Sequence, residues 1–182
     1  MRIHIVGASG AGSTTLANAL SNQLNIKALD SDDYLWLKTE PPFQTKRDLS
    51  KRVSMLENDF KVYQSYILSG SIYDWGDELL ECFDLIVFLW LPPEIRIKRL
   101  INRDYERYGD LIEVGNAHYD MHKAFIDWAS MYDQGDTNIR SRKSHELWLK
   151  KATCKVLRIE GDFEVDKKIE MILDFIEGDS CK

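Results

Sequence analysis

The sequence predicts an α/β protein, a parallel sheet whose strands alternate with helices through right-handed crossovers. Short apolar runs without polar alternation recur along the chain, as in strands buried on both faces. Longer stretches between them repeat their apolar residues at helical spacing. A glycine-rich turn joins the first apolar run to the first helical stretch.

Five runs are the expected strands: Ile3–Val6, Ile26–Leu29, Tyr66–Leu68, Leu85–Leu91 and Lys155–Ile159. Ser13–Leu24 follows the first and carries Leu16, Leu20 and Leu24 at fourfold spacing. Leu49–Tyr63 sets Val53, Leu56 and Phe60 on one face, and Glu94–Tyr108 carries Ile97, Leu100 and Ile101. Phe163–Ile176 repeats Ile169, Ile172 and Phe175. Gly115–Trp128 and Arg142–Lys150 are two further helices with no strand between them, a helical excursion over one end of the sheet. Pro41–Phe43 marks a loop.

The 182 residues carry a net charge of −6, with 44% hydrophobic and 30% charged side chains, within the range of one soluble globular domain. With no linker or repeat, one domain over 1–182 is expected, its excursion at roughly 103–150. The acidic balance argues against a general nucleic-acid partner. Cys82, Cys154 and Cys181 are odd in number and far apart, which fits reduced thiols without a metal. The opening MRIHIV is too short for a signal core, and DLIVFLWLPP is too short to span a bilayer. A cytoplasmic, soluble protein without a membrane partner is the expectation.

In IHIVGASGAGSTTLANAL, strand, glycine-rich turn and helix start follow in order. On the Walker A spacing, Gly7 and Gly12 frame the turn, Ser13 stands where lysine is usual, and Thr14 takes the magnesium-hydroxyl position. Gly7, Gly10 and Gly12 let successive N–H groups turn inward, and the positive end of the following helix favours a phosphate. The expected cradle is Gly7, Ala8, Ser9, Gly10, Ala11, Gly12, Ser13, Thr14 and Thr15. It lacks the ammonium that bridges the terminal phosphates. The alternative is a tight strand-to-helix turn that binds nothing.

With GASGAGSTT, LDSDDYLW, YILSGSIYDWGD, DLIVFLWLPPEIRIKRL, RDYERYGD and VLRIEGD in this order, the chain resembles the P-loop nucleoside, nucleotide and small-molecule kinases. The likeness is to adenylate kinase and shikimate kinase, and to small bacterial adenylate kinase-like or topology-modulation-type ATPases. It implies a P-loop three-layer sandwich with a five-stranded parallel sheet of order 2-3-1-4-5 and a mobile helical lid. It further implies ATP and Mg2+ as cofactors and a small-molecule acceptor.

Asp30, Asp32 and Asp33 follow the second strand, at the carboxyl end where open α/β sheets bind ligands. The resemblance implies that Asp30 joins Thr14 at the metal and that Asp32 orients or deprotonates an acceptor hydroxyl. The alternative is an acidic turn whose Asp32 or Asp33 caps a helix. Ser69 stands where nucleotide kinases carry an aspartate before the glycine, a second departure. Trp36 and Trp75 form either an aromatic wall or packing.

Arg96, Arg99, Arg103 and Arg107 fall within an arc of ~80° on one helix. Their planar forks suit phosphate oxygens and could replace the charge missing at Ser13. The resemblance singles out Arg99 and Arg103; the alternative is a solvated basic face. Lys46, Arg47 and Arg52 lie where such kinases bind the acceptor, and the loop at Arg158–Asp162 is where they cup adenine. His118 and His122 share a helix face without a third ligand, and His4 reads as a satisfied core residue. Three functions remain open: ATP-dependent phosphotransfer, non-catalytic nucleotide binding, and slow nucleotide hydrolysis coupled to a partner.

Overall fold

The computed structural model describes residues 1–180, so Cys181 lies outside the described residues. The elements are β1 (Arg2–Gly7), α1 (Ser13–Leu24), β2 (Lys27–Asp30), α2 (Ser31–Leu35), α3 (Leu49–Val62) and β3 (Tyr66–Ser69). They continue with β4 (Leu85–Trp90), α4 (Pro93–Tyr108), α5 (Tyr119–Ser130), α6 (Arg142–Leu149), β5 (Lys155–Glu160) and α7 (Val165–Ser180). Short 3-10 turns lie at Asp77–Cys82 and Gly109–Ile112. All strand pairs are parallel, in the order β2-β3-β1-β4-β5.

The sheet has helices on both faces, which is why its strands read as unbroken apolar runs. Along β1, Ile3 and Ile5 face the layer built by Leu16 and Leu20 of α1 and Ile169 and Ile172 of α7. Val6 faces the opposite layer, with Leu56 of α3 and Trp148 of α6. β4 divides likewise: Val87 and Leu89 on one side, Ile86 and Phe88 on the other.

Most boundaries fall within two residues of expectation. α5 starts at Tyr119, four residues late, because Gly115 adopts φ 86 and Asn116–His118 form a turn. α2 escapes the periodicity argument because five residues are too few to show a repeat. Its cap is Asp30, not Asp32 or Asp33: the Asp30 side chain accepts from the backbone N–H of Asp32. His4 is a core residue but only half satisfied. Its Nδ1 lies 3.1 Å from the Leu68 carbonyl and its ring stacks on Phe83, while Nε2 has no partner among the described residues.

No helix among the described residues is long and apolar enough to cross a membrane.

Candidate functional site

The cradle forms where β1 ends in the middle of the sheet. A Cβ on Gly7 would lie 2.5 Å from the Leu89 carbonyl oxygen, so the loop can pass β4 only as glycine. At Gly10, with φ 82, a Cβ would lie 2.7 Å from the Arg96 carbonyl oxygen of α4. Gly12 caps α1 at φ 88 with no side-chain hydrogen bond, and no acidic residue stands in the first turn. The first N–H groups of the helix, at Ser13, Thr14 and Thr15, therefore keep no intrahelical or side-chain acceptor, and the helix dipole adds positive potential. Ala11 departs from the expected cradle side chains: its N–H closes a turn onto Ala8 and its methyl is buried in the core.

Thr14 Oγ1 donates to Asp30 Oδ2 at 3.0 Å, pairing a hydroxyl and a carboxylate at the mouth of the cradle. These hard oxygens suit a magnesium ion. The other Asp30 oxygen holds the start of α2 and so sets where Asp32 stands. Asp32 Oδ1 accepts from Trp36 Nε1 at 3.2 Å. Solvent reaches Asp32 through the cavity mouth, but protein encloses its other sides. That enclosure, with the Asp30 charge, pushes its pKa up, against the pull of Arg140, the Trp36 bond and Arg103. Gly70, at φ 86, leaves room for Ser31: a Cβ there would lie 2.1 Å from Ser31 Oγ. Ser69 donates to the Leu29 carbonyl and stays within the sheet.

The four-arginine stripe divides. Arg96 is fully buried and ion-paired with Asp133, and its Nε donates to the Leu91 carbonyl, so it is a strut and not a free phosphate ligand. Arg99, Arg103 and Arg107 line the cavity. Arg99 Nη1 lies 3.9 Å from where a Gly12 Cβ would stand, beside the position that lacks its lysine, and Nη2 pairs with Asp162 at 2.6 Å. Arg103 pairs with Asp104 at 3.2 Å. Arg107 lies over the Phe43 ring.

Sequence reasoning missed two cations. Arg140, in the loop before α6, reaches 131 residues back to donate from Nη2 to Ser9 Oγ at 2.9 Å, and its Nε has no partner among the described residues. Burial pushes its pKa down, while Asp32 supports its charge. No periodicity marks a loop arginine. Lys168 also lines the cavity, and it had a signal: it shares the apolar stripe of α7 with Val165, Ile169 and Ile172.

The structure decides several positions that the sequence left open. Trp36 lines the cavity, whereas Trp75 is core and donates to the Ser71 carbonyl. None of Lys46, Arg47 and Arg52 lines it: Arg47 ties the carbonyls of Tyr34 and Trp36, Lys46 lies over Trp36, and Arg52 over Trp75. His122 pairs with Asp104, and no metal-binding cluster of three or more His, Cys, Asp or Glu exists among the described residues. At the floor, Ser71 Oγ lies 3.0 Å from His145 Nε2, and His145 Nδ1 lies 2.8 Å from the Tyr132 hydroxyl. Burial lowers the His145 pKa to about 3, so the ring is neutral.

The cavity has a volume of about 780 Å³, and the cradle, Asp30, Asp32, Arg99, Arg103 and Arg140 line it. A glycine-rich cradle at the middle strand of a 2-3-1-4-5 parallel sheet, with carboxylates and arginines around it, defines a P-loop kinase-like fold. Residues 3–119 match the AAA_18 family, described as an AAA domain, and the chain belongs to that family. A Bacillus subtilis (strain 168) protein, described as the uncharacterized protein YqaC, is 43% identical over 176 residues, which is 97% of each chain. The shikimate kinase of Acinetobacter baumannii, solved with shikimate, is similar in fold: TM-score 0.57, 20% identity, 100% of this chain and 95% of that one. The shikimate kinase of Bacteroides thetaiotaomicron gives TM-score 0.58 at 18% identity, covering 97% of this chain and 98% of its own.

Proposed function

We propose that this protein binds ATP with Mg2+ in the cavity and transfers the terminal phosphate to a hydroxyl of a small molecule. The observation that carries the reading is a convergence on one cavity. The uncapped start of α1, the Thr14–Asp30 pair, Asp32 and the cations Arg99, Arg103 and Arg140 all line it. A bound magnesium nucleotide supplies the phosphoryl group and the charge neutralisation that transfer requires.

Each residue then has a distinct task. The N–H groups of the cradle, apart from Ala11, whose N–H is bonded to the Ala8 carbonyl, hold phosphate oxygens without themselves changing charge. Thr14 and Asp30 would hold the metal. Arg99, whose Nη1 stands beside Gly12, the residue before the missing lysine, meets charge at the terminal phosphate with Arg103 and Arg140. Asp32, with its raised pKa, accepts the hydroxyl proton of the acceptor. Ser71 and the Trp36 face, at the ends of β3 and α2, line the acceptor side. The shikimate seen with the Acinetobacter baumannii enzyme makes polyhydroxylated carboxylates a first class of acceptor to try.

One observation favours a second reading, nucleotide binding without transfer: Ser13 and Ser69 are both neutral where charge is usual, and Ser69 is committed to the Leu29 carbonyl. Calorimetric titration with ATP and Mg2+, followed by a product screen over nucleosides, nucleotides and small hydroxyl compounds, separates the two. A phosphorylated product supports the kinase. Binding with no product throughout favours the sensor, and no nucleotide binding removes both.

A further inference from the structure

Lys168 is only 4% exposed, because it sits on the stripe of α7 that Ile169 and Ile172 carry into the core. Its side chain nonetheless lines the cavity, and among the described residues its ammonium has no hydrogen-bond or ion-pair partner. Asp162, the carboxylate best placed to help, is held by Arg99 at 2.6 Å. Glu164 is exposed. Burial and the Arg99 charge hold the Lys168 pKa down, with Asp162 and Glu164 opposing them. A largely buried side chain whose ammonium opens onto the cavity and meets no carboxylate among the described residues is incompletely solvated, and it makes the free protein a waiting half of an ion pair.

The topology says which part of a ligand would complete that pair. Asp30 ends β2, at one edge of the sheet, while α7 follows β5, at the other edge, and the cradle stands between them on β1. From Thr14 and Asp30 the cavity extends to Phe163, Val165 and Lys168 at the start of α7, which gives the nucleoside end of a nucleotide with metal-bound phosphates at Thr14 and Asp30 a place to lie. The phosphate next to the nucleoside then comes within reach of Lys168, whose charge feels Arg99, the residue that stands beside Gly12 at the start of α1. Lysine offers donors only, and the edge of a base offers dipoles without net charge. A phosphate oxygen offers the charge that matches.

We propose that Lys168 is the cradle's displaced cation, binding a non-bridging oxygen of the phosphate adjoining the nucleoside. This rests on the nucleotide reading above. It separates the lysine's binding task from the terminal-phosphate task, which stays with the arginines.

The test compares wild type, Lys168→Met and Lys168→Arg by calorimetry with ADP and with GDP, together with thermal melting of each free protein. Methionine keeps the aliphatic stem that packs in α7 and removes the charge. The expected result is a loss of roughly 10–100-fold in affinity for Lys168→Met, equal for ADP and GDP, with arginine restoring part of it. The free Met variant should melt at or above the wild-type temperature while its stabilisation by ADP shrinks. Unchanged affinity for both ligands overturns the proposal. So does a loss confined to one base, which would make Lys168 a base reader, or a lower melting temperature with the ADP response intact, which would make it structural. Wild type that binds neither ligand overturns the proposal and the nucleotide reading together; wild-type binding with an unaffected Met variant overturns the proposal alone.

Discussion

Asp32 draws its chemistry from its position between an anion and two cations. Asp30 and the enclosing protein favour its protonated form, while Arg140 and Arg103 favour the carboxylate. Its raised pKa makes Asp32 a stronger base than an unperturbed aspartate, which suits the proposed proton transfer. Asp32→Asn keeps an oxygen for Trp36 Nε1 and loses the base. Turnover should fall by roughly 10²–10⁴-fold with ADP affinity nearly unchanged, measured as product formation beside calorimetry. An equal fall in affinity would assign Asp32 to binding. Gly70 acts at the same scale. Gly70→Ala drives a Cβ into buried Ser31 at a positive φ, so the variant should lose about 1–3 kcal/mol in urea denaturation and bind magnesium nucleotide less well. Wild-type stability would mean that Ser31 can turn away without cost.

Helix α4 carries two tasks on one face. Toward its start, Arg96 is covered by the excursion: it meets Asp133, lies over the Tyr132 ring, and reaches the carbonyls of Leu91 and Ser9. Asp133 also accepts from Trp90 Nε1 at 2.7 Å, so a single carboxylate joins the end of β4 to α4. One turn further along, the cover ends and Arg99 and Arg103 look into the cavity. Arg96→Ala leaves Asp133 without its cation and should cost about 3–5 kcal/mol, read by urea denaturation. A change below about 1 kcal/mol would make the pair a surface-like contact. The arc of ~80° was legible from spacing. The division of labour along it was not, because it depends on residues more than thirty positions later.

At the scale of the molecule, the two sides of the sheet differ in how they respond to acid. His4 and His145 lie in the same layer, their rings against Phe83 and Trp148, and burial lowers their pKa values to about 4 and about 3. In the unfolded chain both return to 6.5. The folded state therefore binds fewer protons, and the contribution is complete above pH 6.5 and is lost as pH falls toward the folded values. Stability at roughly pH 5 should be lower than at neutral pH by about 2 kcal/mol per histidine. Urea denaturation at both pH values checks this, and His145→Gln, which cannot titrate, should halve the difference. A midpoint insensitive to pH would mean that the two rings are hydrated in solution.

Local pattern alone determined the five strands, most of the helices and the cradle. Strands buried on both faces announce themselves as apolar runs, and a turn that needs Gly7, Gly10 and Gly12 leaves its backbone requirement written in the chain. The order of the sheet came through likeness, since no single strand encodes its neighbours. Tertiary structure decided what no window of residues holds. It buried Arg96 while leaving Arg99 and Arg103 free to face the cavity, brought Arg140 to Ser9, and moved Trp75 into the core. It also turned Lys168 from a blemish on an apolar stripe into a charge that lines the cradle's cavity with no ion-pair partner among the described residues. Charge acquires its meaning from what surrounds it, and those surroundings are assembled only when distant segments meet.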